Sequence, residues 1–302
     1  MAIVEGRDLV KDYDGLRAVD HVAFAIDRGE CFGFLGPNGA GKTTIMKMIY
    51  CRTPVTQGDV LVDGISVREE PRRIKGLIGV ATQDDNLDRD LSVYENLVVY
   101  ARYFGIPRAI AAPRIQELLR FFDLTDKART DVEDLSGGMR RKLIVARALI
   151  NDPKILILDE PTTGLDPQAR RQIWDTIIGL GSEGKTIILT THYMDEAQEL
   201  CDRTAIMFGG KILERGAPDD LIARVAGQSV CELYTPNEAA VQSIRRKIDG
   251  AIEQVGNRLF LYGDDEQELK RKCSAIPSEF WRVRQTNLED VFLKLTGGKE
   301  LK

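Results

Sequence analysis

Apolar residues fall along this chain in two alternating patterns. Short unbroken runs at 31–35, 77–82, 155–158, 186–190 and 205–208 read as buried strands, and the stretches between them carry apolar residues at helical spacing. Strand and helix in turn through about residue 225 predict an α/β layer architecture. The opening stretch, 3–26, reads as short strands. Gly209-Gly210, set between Ala-Ile-Met-Phe and Lys-Ile-Leu-Glu, is a two-residue hairpin signal that makes the last strands of this region antiparallel. From 91 to 124 the period is helical, with Leu97, Ala101 and Phe104 on one stripe and Ile115, Leu118, Leu119 and Phe122 on another. A helical insertion therefore occupies about 84–135.

A second pattern begins after Val225. It runs strand 229–234, helix 238–247, strands 252–255 and 259–262 about a Gly256-Asn257 turn, helix 266–273, strand 281–285 and amphipathic helix 288–295. This is the order of a split βαββαβ unit, ferredoxin-like, with one helix added. The 302 residues thus divide into one sizeable domain, 1–225, and a small α/β domain, 226–302.

Composition narrows the partners. Formal net charge is −5 and the basic residues are interspersed with acidic ones, so no electrostatic footprint for a nucleic-acid backbone exists and no nucleic-acid partner is expected. Cys31, Cys51, Cys201, Cys231 and Cys273 are scattered and never form a Cys-x-x-Cys pair, which argues against a disulfide framework and a zinc site and fits a reducing compartment. The N-terminus is charged within a few residues, and no apolar run approaches the roughly 18 residues that span a bilayer. Any membrane role is borrowed from a partner.

Chemistry concentrates in three places. Gly36-Pro37-Asn38-Gly39-Ala40-Gly41-Lys42-Thr43-Thr44 follows one apolar run and opens a helical pattern. In that context backbone N–H groups and a helix N-terminus wrap an oligophosphate, Lys42 reaches its terminal phosphates, and the Thr43 hydroxyl meets a magnesium ion on the same phosphates. The run 155–158 ends in Asp159 and Glu160, two carboxylates at the carboxyl end of a buried strand. Asp159 there can hold the magnesium, and Glu160 can orient or deprotonate the water that attacks a γ-phosphate. Third, Leu135-Ser136-Gly137-Gly138-Met139 leads into a helix, with Ser136 as its N-cap; a helix start flanked by glycines is also a place for a phosphate.

Together these residues resemble the nucleotide-binding subunits of ATP-binding-cassette (ABC) transporters, whose signature is Leu-Ser-Gly-Gly-Gln. The resemblance covers roughly 3–226, with its parts in family order: Tyr13, the phosphate loop, Gln83 at a strand end, the signature, Asp159 and Glu160, Gly164-Leu165-Asp166, and His192. It implies a P-loop cassette with a RecA-like α/β core, an N-terminal antiparallel β subdomain and a helical insertion. It also implies a head-to-tail dimer in which ATP is held by the phosphate loop of one copy and by Ser136 and Gly138 of the other. Tyr13 would stack on adenine, Gln83 would sense the γ-phosphate and magnesium, Asp166 would link the two sites, and His192 would hold the γ-phosphate and attacking water. Only two histidines are present; His21 lies in the N-terminal strand region with no acidic partner in its neighbourhood and reads as structural.

The signature departs from the family in ending at Met139, which removes any side-chain hydrogen bond there, and Thr163-Gly164 replaces the common serine-alanine, a change expected to matter little. Met139 followed by Arg140-Arg141-Lys142, with Asn287-Leu288-Glu289-Asp290-Val291-Phe292-Leu293 near the end, resembles the exporter group that includes the daunorubicin-resistance and nodulation-factor subunits. Asp85-Asn86-Leu87-Asp88 and Tyr103-Phe104-Gly105 resemble the nodulation type most. The resemblance implies an ATPase on the cytoplasmic face of a bacterial inner membrane, driving a separate permease of ABC-2 type through a coupling surface at 83–103. An import cassette with a regulatory C-terminal domain, or a soluble cassette acting on ribosomes or DNA, are the alternatives.

Overall fold

The computed structural model describes residues 2–234, 241–242, 244, 252–274 and 281–297. By contact the chain divides into two compact units, Met1–His192 with Leu200–Ile212, and Tyr193–Glu199 with Leu213–Lys302.

The first unit holds two sheets. Strands β1 (Ala2–Tyr13), β2 (Leu16–Asp27), β4 (Gln57–Val62) and β5 (Ile65–Ser66) form an antiparallel sheet in the order β2-β1-β4-β5. The sequence reads 3–26 as short strands. Two long ones form instead, because register shifts between Gly6 and Leu9 and again near Lys11 bend β1 without ending it. The second sheet takes β3 (Cys31–Leu35), β6 (Ile78–Ala81), β7 (Ile155–Asp159), β8 (Thr186–Thr191), β9 (Arg203–Phe208) and β10 (Lys211–Gly216) in the order β10-β9-β3-β8-β7-β6. The pairs β9-β3, β3-β8, β8-β7 and β7-β6 are parallel, so these five strands end on one edge. Strands β9 and β10 are neighbours joined by Gly209-Gly210, as the hairpin signal predicts.

Helix α1 (Lys42–Ile49) lies between the sheets. Its residues Ile45, Met46, Met48 and Ile49 are all buried, and they join one core with Val4, Phe24 and Val60 of the first sheet and Phe34, Ile157 and Met207 of the second. These four residues form a broad apolar arc on the helix, and both sheets are needed to cover it. Phe24 and Phe34, one from each sheet, meet edge to face at 5.1 Å. Helix α2 (Pro71–Leu77) joins this core through Ile74; α5 (Gly137–Ala148) packs on β6, and against α5 lie α6 (Pro167–Ser182) and the first insertion helix α3 (Val93–Tyr103), which carries the second, α4 (Arg108–Phe121). Leu97, Ala101, Ile115, Leu119 and Phe122 are buried as their stripes predict. Phe104 is not: α3 has ended by then, and the ring stays 37% exposed against Tyr100.

In the second unit β11 (Ser229–Tyr234), β12 (Ile252–Val255), β13 (Arg258–Gly263) and β14 (Trp281–Gln285) form an antiparallel sheet in the order β12-β13-β11-β14, which is the split βαββαβ topology. The predicted helix 238–247 lies outside the described residues except for Val241, Gln242 and Ile244, which are helical. One sheet face packs Cys231, Leu233, Leu259 and Leu261 against Leu269 and Cys273 of α9 (Glu266–Ser274). Cys231 and Cys273 are joined there as a disulfide across 42 positions, which corrects the unpaired reading of the cysteines: hairpin and helix bring together two thiols that spacing alone could not connect. The other face meets α10 (Leu288–Thr296), started by a capping box between Asn287 and Asp290. By contact, most of helix α7 (Met194–Leu200) counts with this unit, as do α8 (Pro218–Leu221) and the π-helical turn Ile222–Ala226, which pack against α10.

Two predictions follow from local geometry. Gly41 has φ 101° and a side-chain carbon on it would strike the Ala18 carbonyl, whereas Gly39, φ 82°, faces open space. Gly41→Ala is expected to lower stability by about 1–3 kcal/mol, more than Gly39→Ala, in thermal melts of both variants. In the second unit, burial pushes the Glu232 carboxyl up, but Arg282 and Arg284, each donating at 2.7 Å, outweigh it and hold its pKa below the usual range. A depressed carboxyl stabilises above its unfolded pKa of about 4.3 and loses that contribution as pH falls through the lower folded value. Melting of wild type should therefore drop on acidification through that window, and Glu232→Gln should show a smaller drop.

Candidate functional site

Parallel strand direction assembles the site. Side by side, β3 runs into the loop 36–44, β8 into His192, β7 into Asp159 and Glu160, and β6 into Thr82 and Gln83, all on one edge. Gly36 is fixed there by its N–H donating to the Thr191 carbonyl at 3.3 Å, with the Met207 carbonyl filling the space a side chain would need.

Lys42, Asp159 and Glu160 are 4%, 6% and 7% exposed. Ionised groups so far from water need compensating dipoles. The Lys42 ammonium donates to the carbonyls of Gly36 at 2.6 Å and Pro37 at 2.9 Å, and lies 3.9 Å from Glu160 Oε1. Asp159 Oδ1 accepts from Thr43 Oγ1 at 3.1 Å and from Thr190 Oγ1 at 2.5 Å. Glu160 sits at φ 46°, in the left-handed region rare for a non-glycine residue, held by its N–H donating to the carbonyl and hydroxyl of Thr190. Its Oε2 accepts from Gln83 Nε2 at 3.2 Å and Thr163 Oγ1 at 3.0 Å, and stands 3.3 Å from His192 Nδ1. One carboxylate thus gathers residues from three strand exits. Such a group can orient or accept a proton from a small polar nucleophile beside the phosphate-wrapping loop.

A second group forms at the start of α5. Ser136 caps the helix, accepting from the Met139 N–H at 3.2 Å, and a side-chain carbon on Gly138 would lie 3.0 Å from Ala169 Cβ of α6, closer than ordinary contact. Asp166 caps α6 through the Ala169 N–H at 2.9 Å. Tyr13, at the end of β1, is 40% exposed, with Lys11 Nζ 4.7 Å from its ring centroid. His21 does have an acidic partner: the β1–β2 pairing brings Asp8 Oδ1 to 2.8 Å of its Nδ1, with both side chains exposed.

Sequence reasoning missed three contributors. Thr163, read as a minor departure, places its hydroxyl on Glu160. Thr190 holds both Asp159 and the Glu160 backbone; its signal was the apolar-to-hydroxyl change along 186–191. Arg141, 7% exposed, donates to three carbonyls around Glu160 and Gln83; the string Arg140-Arg141-Lys142 marked only a likeness to the exporter group and gave this side chain no role. Further along the same helix Arg147 donates to Asn86 and stacks over Tyr100, and burial pushes its pKa below the usual arginine value.

Comparison with known proteins agrees with this geometry. The ABC transporter family matches residues 19–163, and the family described as the C-terminal domain of the nodulation factor export protein NodI matches 238–297. A protein of Ralstonia nicotianae called Nod factor export ATP-binding protein I is 44% identical over 97% of this chain and 93% of its own length. One of the same name from Neorhizobium galegae is 46% identical over 94% of this chain and 82% of its own. Among solved structures, an ATP-binding subunit of an ABC transporter aligns with TM-score 0.66 and 28% identity over 74% of this chain and 92% of that one. A dimeric cassette in a post-hydrolysis state with ADP and Pi aligns with TM-score 0.64 and 27% identity over 71% and 98%. The chain belongs to the ATP-binding subunits of the ABC transporter family, in the branch that carries the NodI-type C-terminal domain.

Proposed function

We propose that this ATPase drives export of a lipo-oligosaccharide-like molecule through a separate ABC-2-type permease, working as a head-to-tail pair on the cytoplasmic face of a bacterial inner membrane. Two things support the direction and substrate: the NodI-type C-terminal match and the names of the relatives. No helix among the described residues is long and apolar enough to cross a membrane, so the path for the substrate belongs to the partner. Residues 1–225 are the nucleotide module in this reading, and 226–302 an accessory domain.

The observation that carries the hydrolytic assignment is Glu160, buried, strained and surrounded by Gln83, Thr163, His192 and Lys42. Lys42, now satisfied by loop carbonyls, binds the terminal phosphates when ATP fills the loop 36–44. Glu160 orients and deprotonates the attacking water, and His192 and Gln83 hold its carboxylate in place while facing the γ-phosphate. Magnesium fits the donor set: Thr43 and Asp159 supply a hydroxyl and a carboxylate 3.1 Å apart, with Gln83 near, too few ligands for a closed cage and suited to an ion that arrives with phosphate and water. Bound there, it neutralises phosphate charge. Tyr13 stacks the adenine. Ser136 and Gly138 of one copy close over the nucleotide of the other through the α5 N-terminus, and Asp166 lies beside that contact.

Glu160→Gln should keep ATP binding, accumulate a closed dimer on size exclusion, and lose about 10²–10⁴ in turnover, whereas Lys42→Ala should weaken nucleotide binding itself. Full turnover in Glu160→Gln removes that residue from its role. The transport reading is tested by co-purification with the permease and flux in inside-out vesicles: ATP-dependent accumulation of a lipo-oligosaccharide is expected, and uptake in the opposite direction contradicts it. At the coupling surface, 83–103, reversing the exposed charge of Arg89 to Glu should leave basal ATPase intact and abolish flux; undiminished flux would overturn that placement.

A further inference from the structure

Helix α5 begins at Ser136, the residue proposed to engage a neighbour's nucleotide, and two arginines further along it are spent on main chain. The Arg141 guanidinium donates through Nε to the Pro161 carbonyl at 2.7 Å, through one terminal nitrogen to the Thr82 carbonyl at 2.6 Å, and through the other to the Asp159 carbonyl at 3.0 Å. Asp159 and Pro161 flank Glu160 in sequence, and Thr82 precedes Gln83. Arg147, six positions on, donates to the Asn86 carbonyl at 2.8 Å and to its side chain. Residues 82 and 86 bracket Gln83, so one helix grips the Gln83 segment at both ends and the Glu160 backbone on both sides.

Side chains of this kind have cheaper places to be. A guanidinium is always charged, and burying one among carbonyl dipoles is favourable only when several converge on it with good geometry, as three do here. The planar fork of arginine matches three carbonyls from three separate segments; a lysine ammonium, a point donor, cannot span them. The helix itself is a rigid rod of about 1.5 Å per residue, so a displacement at Ser136 is delivered to Arg141 in the next turn.

We infer that Arg141 is a positioning residue that couples the two ATP sites of the assembled pair: when Ser136 of one copy engages the neighbour's nucleotide, Arg141 carries the shift of α5 to that copy's own Glu160 and Gln83. The inference rests on the two-copy reading above. Its role is distinct from binding, because Arg141 faces the backs of the catalytic segments and donates to their main chain. Each subunit thereby senses closure at the other's site through its own signature helix, and alignment of its hydrolytic carboxylate follows engagement.

The test compares wild type, Arg141→Met, Arg141→Lys, Ser136→Ala and the Ser136→Ala/Arg141→Met double variant for binding of trinitrophenyl-ATP and for steady-state ATPase. Arg141→Met should bind the probe within about twofold of wild type, lose about tenfold to a hundredfold in kcat, and show a Hill coefficient for ATP that falls toward about 1. Arg141→Lys should recover part of kcat. The double variant should be no slower than the slower single, because both remove one chain of transmission. A kcat for Arg141→Met within about twofold of wild type, or losses that multiply in the double variant, would overturn the inference. If Arg141→Met does not fold, Arg141→Lys decides, and wild-type kcat with an unchanged Hill coefficient in it overturns the inference equally. Failure of the wild-type protein to bind the probe would strike the nucleotide site itself and leave Arg141 out of account.

Discussion

The structure depends on keeping three ionisable side chains out of water at one edge of a parallel sheet. Lys42, Asp159 and Glu160 are each more than nine-tenths buried, and in isolation each would cost several kcal/mol. None is left to a single counter-charge. Lys42 is held by two loop carbonyls, Asp159 by two hydroxyls, and Glu160 by an amide, a hydroxyl and the nearby imidazole. Much of the surrounding architecture serves to deliver those dipoles. Parallel pairing brings four strand ends together, and α1 is clamped between two sheets so that the loop before it cannot relax. The backbone at Glu160 is held in a region its residue type avoids.

Such a site is built to be completed. Polar groups now satisfied by one another can be taken over by a triphosphate with little rearrangement, since the donors already point to one edge. The second group of residues, at the start of α5, belongs to the same chain but offers its helix end and glycine-flanked cap outward from a packing contact with α6. In the proposed pairing, a copy in opposite orientation brings the two halves of the clamp together. The coupling inferred for Arg141 would run between those halves along one helix.

Much of this was legible in the residues. The runs at 31–35, 155–158 and 186–190 became β3, β7 and β8 within a residue or so, because a strand buried on both faces leaves an unbroken apolar signature. The small domain was readable from the order of its elements, and its sheet closes in the predicted topology. What resisted reading was tertiary. Thr190 and Thr163 look like any strand-end hydroxyl until the fold sets them against Asp159 and Glu160. Arg141 looks like a solvated helix charge, His21 found Asp8 only across a strand pair, and Cys231 met Cys273 only after the sheet had formed.

The central claim is that one triphosphate is shared by two copies of this chain. A structure of the Glu160→Gln protein with ATP and magnesium tests it most directly. A two-fold assembly is expected in which each γ-phosphate touches Lys42 of one copy and Ser136 of the other. Lys42 and Ser136 contacting separate nucleotides in every assembly observed would contradict it.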